Sequence, residues 1–305
     1  MSKLFSTAFY IILALSLVGC GEEKYQTERF YNMGTFVSLT LPKTKKNKKL
    51  TIDVRGRIQE LENIIKKATD KANEDKQFCF EGIMNDLHET GIKYAELTDE
   101  RFSIYAYTIA KEYGFHEGPY RVPSETRIKQ LTKNINNLYD LQMDMGAYAK
   151  GYIVDKATDL LKEKNVKSAM LNAGGDLYAL GKKGDRKWRV AIKHPDFHDK
   201  FLSIIDIENI ALATSGDYER FFKTDEGERI FHIFDSTTGK NPQYHRSVSV
   251  IADTVEEADG LATSFFLMPI DEIAKKCLEL KTPVLLYNKD DETTKLCGWE
   301  KFENN

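Results

Sequence analysis

Four short segments of this 305-residue chain hold acids, hydroxyls, a lysine and a histidine at spacings that chemistry can use. In Asp144-Met145-Gly146-Ala147-Tyr148-Ala149-Lys150-Gly151 an acid closes one element, small residues follow, and a lysine stands where a helix opens. Amides at a helix start attract anions, and a lysine adds a full charge. In Asn172-Ala173-Gly174-Gly175-Asp176 the paired glycines allow positive φ and close approach of a ligand to the backbone. The third constellation is Thr214 to Arg220 taken with His232-Ile233-Phe234-Asp235 and Thr238-Gly239. It offers hydroxyls, acids and a histidine able to act as a base near neutral pH. In the fourth, Asp259 and Thr263 stand four apart, so a helix presents carboxylate and hydroxyl on one face. These are hard oxygen ligands of the kind magnesium takes. Each segment alone is also compatible with an ordinary turn or helix face; their weight lies in occurring together.

Periodicity indicates the elements that must position these side chains. Arg29 to Leu41 reads as a strand, and Thr51 to Ala72 as a helix, with Val54, Ile58, Leu61, Ile64 and Ile65 recurring at spacings of three and four. Residues 73–97 look less regular. A helix over Asp99 to Tyr113 ends at Gly114, and Pro123-Ser124-Glu125-Thr126 opens another with Ser124 as its cap. Leu141 to Met145 reads as a short strand leading to a helix over Gly151 to Lys164. Val166 to Leu171 is a strand, interrupted at Gly174-Gly175. Further strands are expected over 176–181, 188–193, 201–207, 229–234 and 246–252. Helices follow over Glu256 to Leu267 and Ile270 to Leu280, and Pro283 to Tyr287 closes as a strand. Strands outnumber helices and do not alternate strictly with them, which points to an α+β fold with mixed or antiparallel sheets flanked by helices.

A content of 41% hydrophobic residues is enough to bury a core, and a net charge of −3 argues against a nucleic-acid binder. The basic run Lys43 to Lys49 reads as a solvated loop after a strand. Lys3, the apolar stretch Leu4 to Val18 and then Leu17-Val18-Gly19-Cys20 read as a secretory signal ending in a lipobox, with Cys20 carrying the lipid. The expected organisation is a signal peptide over 1–19, a tether over 20–28 and one domain over 29–305. A lipidated Cys20 anchors the chain to a membrane without spanning it. Cys79, Cys277 and Cys297 show no paired metal-ligand spacing. An exported compartment permits a disulfide between Cys277 and Cys297, and the sequence leaves it open against buried thiols.

Taken in order, these segments resemble the ApbE family of FAD:protein FMN transferases. The matching stretches are Met33-Gly34-Thr35, Tyr113-Gly114-Phe115, Asp144 to Gly151, Gly174-Gly175-Asp176, Ser215 to Arg220, His232 to Asp235 with Thr238-Gly239, and Ala258-Asp259 with Thr263. The resemblance implies magnesium-dependent transfer of FMN from FAD to a threonine hydroxyl of an acceptor protein, with release of AMP. It assigns Met33, Phe102, Asp144, Lys150, Asp176 and Phe234 to FAD. Ala147 (through its carbonyl), Asp259 and Thr263 hold Mg2+, and His232 accepts the proton. It implies as acceptor a flavin-carrying subunit of a respiratory redox complex or an exported flavoenzyme, on the periplasm-facing side of a bacterial envelope membrane.

The chain departs from the family pattern at three places. Ser236 stands where the family has proline. Phe102-Ser103-Ile104-Tyr105 lacks an acid expected beside the flavin. Asp75 to Met84 replaces a serine-rich stretch, leaving Asn85 as the match to its final asparagine. Two alternatives follow: an FAD pyrophosphatase releasing FMN and AMP, or a non-catalytic FAD-binding lipoprotein.

Overall fold

The computed structural model describes residues 24–75, 79–135, 142–197 and 199–303. The expected signal peptide and Cys20 lie outside the described residues. The chain opens with a hairpin of β1 (Tyr25–Asn32) and β2 (Thr35–Pro42), whose turn is Met33-Gly34. The single strand expected over 29–41 is therefore two. The hairpin also takes residues 25–28 from the expected tether, because Tyr25 pairs with Pro42 and Thr27 with Thr40.

Helix α1 (Lys45–Glu74) begins inside the basic run expected to be a loop. Asn47 donates its amide to the Pro42 carbonyl at 2.5 Å, and Leu50 is buried. These residues extend the apolar face of Val54, Ile58, Leu61 and Ile65 backwards by two turns. Helix α2 (Ile83–Leu97) occupies the stretch that looked irregular. Its buried positions Met84, Leu87, Gly91 and Tyr94 do keep helical spacing, but Gly91 hides the period. Helix α3 is shorter than expected (Ala106–Glu112), because Asp99 and Glu100 adopt φ of 49° and 66° ahead of it. Helix α4 (Glu125–Ile135) starts at Ser124, whose hydroxyl accepts from the Arg127 amide at 3.3 Å. Residues 142–145 take up no regular secondary structure where a strand was expected. Asn73 binds both backbone groups of Met143, and Thr108 both of Gln142, which replaces strand pairing.

The later elements are α5 (Ala149–Glu163), β3 (Ala169–Ala173), β4 (Asp176–Leu180), β5 (Trp188–Lys193), β6 (Phe201–Ile207), β7 (Ile210–Gly216), β8 (Phe221–Lys223), β9 (Arg229–Phe231), β10 (His245–Ala252), α6 (Val255–Phe266), α7 (Ile270–Leu280), β11 (Val284–Asn288) and β12 (Thr293–Leu296). Eight strands form one sheet in the order β1-β2-β3-β4-β7-β10-β11-β12, with every neighbouring pair antiparallel. The fold is α+β, as expected from the sequence. Strand alternation sends Tyr178, Ala211, Ala213, Val248 and Val250 into the main core under α1, α5 and α6. Leu177, Ala179 and Leu212 face the other side, where the β5–β6 hairpin brings Trp188, Ile205 and Ile207 together with Trp299. A disulfide joins Cys277 of α7 to Cys297 after β12, with Cα atoms 6.0 Å apart.

Candidate functional site

Helices α5 and α6 meet at their N-termini, and each supplies the acid that caps the other. A helix leaves its first amides without partners, and these carry partial positive charge. Asp259 of α6 accepts from the Gly151 amide in the first turn of α5, at 3.1 Å. Asp155 of α5 accepts from the Val255 and Glu256 amides at the start of α6, both at 2.9 Å. Such an approach needs Gly151, since a Cβ there would lie 2.4 Å from the Val255 carbonyl oxygen. Sequence reasoning singled out Asp259 but missed Asp155, whose partners are a hundred residues away.

Thr263 follows Asp259 on the same face of α6. Its hydroxyl lies 3.5 Å from the Ala147 carbonyl oxygen and 3.0 Å from the hydroxyl of Ser215, on β7. Strand β7 was absent from the expected elements, so Ser215 was quoted but given no role. Asp176 opens β4 directly after Gly174 and Gly175, which turn the chain at φ of 69° and 115° as anticipated. The Asp176 carboxylate is buried against the ammonium of Lys150 and also accepts from the Thr214 amide at 3.4 Å. Asp176 thus serves the site by holding Lys150.

Lys150 lies among three acids. Burial pulls its pKa down, but Asp176, Asp259 and Glu219 outweigh burial and hold it above the ordinary lysine value. The acids are under-compensated by this one cation. Burial, reinforced by Asp176, pushes Asp259 well above the usual carboxylate range despite Lys150. Burial raises Glu219 in the same direction, with Lys150 opposing and Asp176 assisting. A further cation would relieve this imbalance. Among the described residues no three His, Cys, Asp or Glu side chains form a ligand group. A cation here would take the Asp259 carboxylate, the Thr263 hydroxyl and the Ala147 carbonyl, a hard oxygen set that suits magnesium. The residues present therefore fit the metal that the resemblance implies.

His232 borders this cluster. Its pKa is lowered to about 4, first by burial and then by the positive charges of Arg220 and Lys150. Its Nδ1 is sealed from water with no hydrogen-bonding partner, and its backbone amide donates to the Arg220 carbonyl at 3.1 Å. Arg220 in turn donates to the Phe115 carbonyl at 2.7 Å. The negative charge of Asp144 favours protonation of His116, although burial dominates and lowers that histidine. The Asp144 amide is fixed by the Ile104 carbonyl at 2.9 Å.

The other expected contacts divide. Met33 sits in the β1–β2 turn at φ 54°, its amide held by Glu62 at 2.9 Å. The Gly174 amide donates to the Phe36 carbonyl at 3.2 Å, so this turn and the Gly174-Gly175 turn lie at the same end of the sheet. The Phe102 ring is buried beside Tyr94 and Tyr148, with ring centroids 5.6 and 6.1 Å away. The Phe234 side chain is likewise buried, with its ring centroid 4.5 Å from that of Tyr113. Asn85 lies on α2, where its side chain donates to Glu89 at 3.0 Å. Lys150, Asp259, Thr263 and the Ala147 carbonyl lie together around the start of α5, while the Phe102 ring packs in the core and Asn85 bonds Glu89.

Residues 33–286 match the model of the ApbE family. An FAD:protein FMN transferase of Vibrio cholerae is 36% identical over 177 residues, covering 57% of this chain and 52% of that protein. A namesake from Treponema pallidum is 36% identical over 152 residues, covering 46% and 41%. The chain thus spans about half the length of the curated relatives it matches. In three dimensions it superposes on the ApbE protein of Thermotoga maritima with a TM-score of 0.84 at 25% identity, covering 92% of this chain and 100% of that one.

Proposed function

The chain belongs to the ApbE family, and from that premise we propose that it transfers FMN from FAD to a threonine of an acceptor protein. The threonine oxygen attacks the phosphorus nearer the flavin. The bond from that phosphorus to the bridging oxygen breaks, and AMP leaves with the electron pair. The observation that carries this reading is the convergence of Lys150, Asp259 and the Thr263–Ala147 oxygen pair on the first turn of α5.

A diphosphate repels an incoming nucleophile, so the site must supply positive charge. Lys150 supplies one unit, aimed by Asp176, and the α5 amides add partial charge. Magnesium on Asp259, Thr263 and the Ala147 carbonyl would neutralise phosphate charge and polarise the reacting phosphorus. His232, neutral at working pH, accepts the threonine proton at a ring nitrogen. Diphosphate anions beside it raise its basicity from the free-enzyme value. Met33 and Asp144 line the flavin end, and Phe234 contributes backbone only. The Cys20 lipid holds the domain to an envelope membrane on its periplasmic side. Acceptors there are flavin-carrying subunits of respiratory complexes or exported flavoenzymes.

The test mixes the full chain with FAD, magnesium and an acceptor domain and weighs the acceptor by mass spectrometry. An acceptor heavier by one FMN, with AMP in solution, is expected. Free FMN beside an unmodified acceptor would replace transfer with hydrolysis, and intact FAD would leave a carrier.

A further inference from the structure

A cleft of about 630 Å³ lies away from the candidate site. It lies at the opposite end of the sheet, between the start of α1, the C-terminus of α5 and the residues flanking β3 and β4. Its lining includes Lys49, Lys164, Lys167 and Lys182, with Asp53 as its one acid. All four lysines are exposed. Among the described residues Lys49, Lys164 and Lys167 form no ion pair, and Lys182 reaches Glu208 only at 4.0 Å. In a chain of net charge −3, this is a strong local excess of positive charge.

The chain enters the domain at the same end. The Lys43 amide donates to the Lys24 carbonyl at 2.6 Å, which seats Lys24 beside the β2 exit. The Tyr25 hydroxyl bonds Ser168 at 2.8 Å and accepts from the Gly184 amide at 2.8 Å, tying the first described residues to the rim of the cleft. Cys20 precedes Lys24 by four residues, which span at most about 14 Å when extended. Helix α5 runs its fifteen residues, about 22 Å, from this basic end to Lys150.

We infer that the face around Lys49, Lys164, Lys167 and Lys182 docks on an anionic membrane surface and turns the catalytic end of the sheet outward. Charge complementarity selects the partner: exposed lysines beside the point of attachment, three of them without an ion pair among the described residues, meet lipid phosphates, and each adds attraction that salt screens. The orientation holds Lys150 and the Gly174-Gly175 turn one helix length from the headgroups, where an acceptor domain has access. The inference borrows the Cys20 anchor from the proposed function for orientation, while the charge pattern stands without it.

The test incorporates the full chain into vesicles of phosphatidylcholine alone or with one third phosphatidylglycerol. Flotation on neutral vesicles reads the anchor. Amine acetylation followed by mass spectrometry reads the face, with Lys223 and Lys240 as remote references. The four lysines should be labelled several-fold more slowly on anionic vesicles at low salt, with protection lost in high salt and the references unchanged. A triple Lys49→Gln, Lys164→Gln, Lys167→Gln variant should lose protection of Lys182 while keeping its thermal unfolding midpoint. A chain that floats only on anionic vesicles would refute the anchor and keep the face. Equal labelling on both vesicles would overturn the inference. Protection by inorganic phosphate on neutral vesicles would overturn it too, leaving a small-anion pocket.

Discussion

The His232 environment yields a prediction whose size follows from the structure. The ring is held near a pKa of about 4 by burial and by Arg220 and Lys150, against 6.5 for the unperturbed group. In the unfolded chain it protonates as pH falls through its ordinary value, while the native ring stays neutral. Proton uptake by the unfolded state alone then draws the equilibrium toward unfolding. Native stability is therefore fully present above about pH 6.5, falls as pH drops, and levels off below the folded pKa. Each pKa unit is worth about 1.4 kcal/mol, so the whole window amounts to about 3 kcal/mol. Replacing His232 with Gln keeps a polar group of similar reach but removes the titration. Urea unfolding of both proteins in metal-free buffer, from pH 4 to 8, should show a difference in stability that changes by about 3 kcal/mol across the range. His88, His116 and His245 also titrate low, but they are common to both proteins and cancel in the difference. If the two stability curves run parallel over the whole range, the ring is solvated and the argument for a buried neutral base collapses.

Further expectations concern the helix junction and its charges. Asp259→Asn keeps an acceptor for the Gly151 amide but removes the carboxylate, so turnover should disappear and magnesium binding by calorimetry should be lost, while FAD affinity falls less; unchanged turnover would refute the metal assignment. Asp176→Asn removes the carboxylate in direct contact with Lys150 and leaves Asp259 and Glu219 beside it, so it should cost up to about 3 kcal/mol, and the double change with Lys150→Met should recover much of that in a denaturation cycle. Gly151→Ala drives a methyl into backbone at 2.4 Å and should cost about 1–3 kcal/mol by thermal unfolding. Reducing the Cys277–Cys297 bridge, which closes a loop of 20 residues, should cost about 3 kcal/mol, read as a lower Tm in reductant.

Much of the helical frame was legible because burial imposes a period on sequence. The α5 and α6 patterns lie within one or two residues of their observed bounds. The hidden elements had physical reasons to hide. Strand β7 crosses the centre of the sheet, yet its Ile210-Ala211-Leu212-Ala213-Thr214-Ser215-Gly216 is small-residue rich and buried on both faces, so it shows no alternation. Gly91 breaks the α2 stripe because the Tyr148 ring leaves no room for a side chain. Within the site, local spacing was enough to pair Asp259 with Thr263. No spacing could reveal that Asp155 caps α6 or that Ser215 reaches Thr263, since tertiary packing alone creates those contacts. The Phe102 ring, which follows the positive-φ pair Asp99 and Glu100, packs into the core, a placement that its motif position alone did not reveal.

The charge pattern explains why one end of this sheet is suited to an anion and a cation together. Asp176, Asp259 and Glu219 surround one ammonium, and burial, reinforced by Asp176, holds Asp259 and Glu219 above their ordinary pKa despite Lys150. A protein selected for stability alone would trim such a set, because buried unpaired charge is costly. Under the proposed function, such a set would be retained because a divalent ion would supply the missing charge, leaving the α5 amides and Lys150 to meet phosphate. These groups stand on helix starts and hairpin turns, separated from the lysine-lined cleft by about the length of α5. On the proposed function and the inferred docking, the acidic cluster would recruit a cation where the chemistry occurs, and the basic cleft would meet anions where the chain is moored.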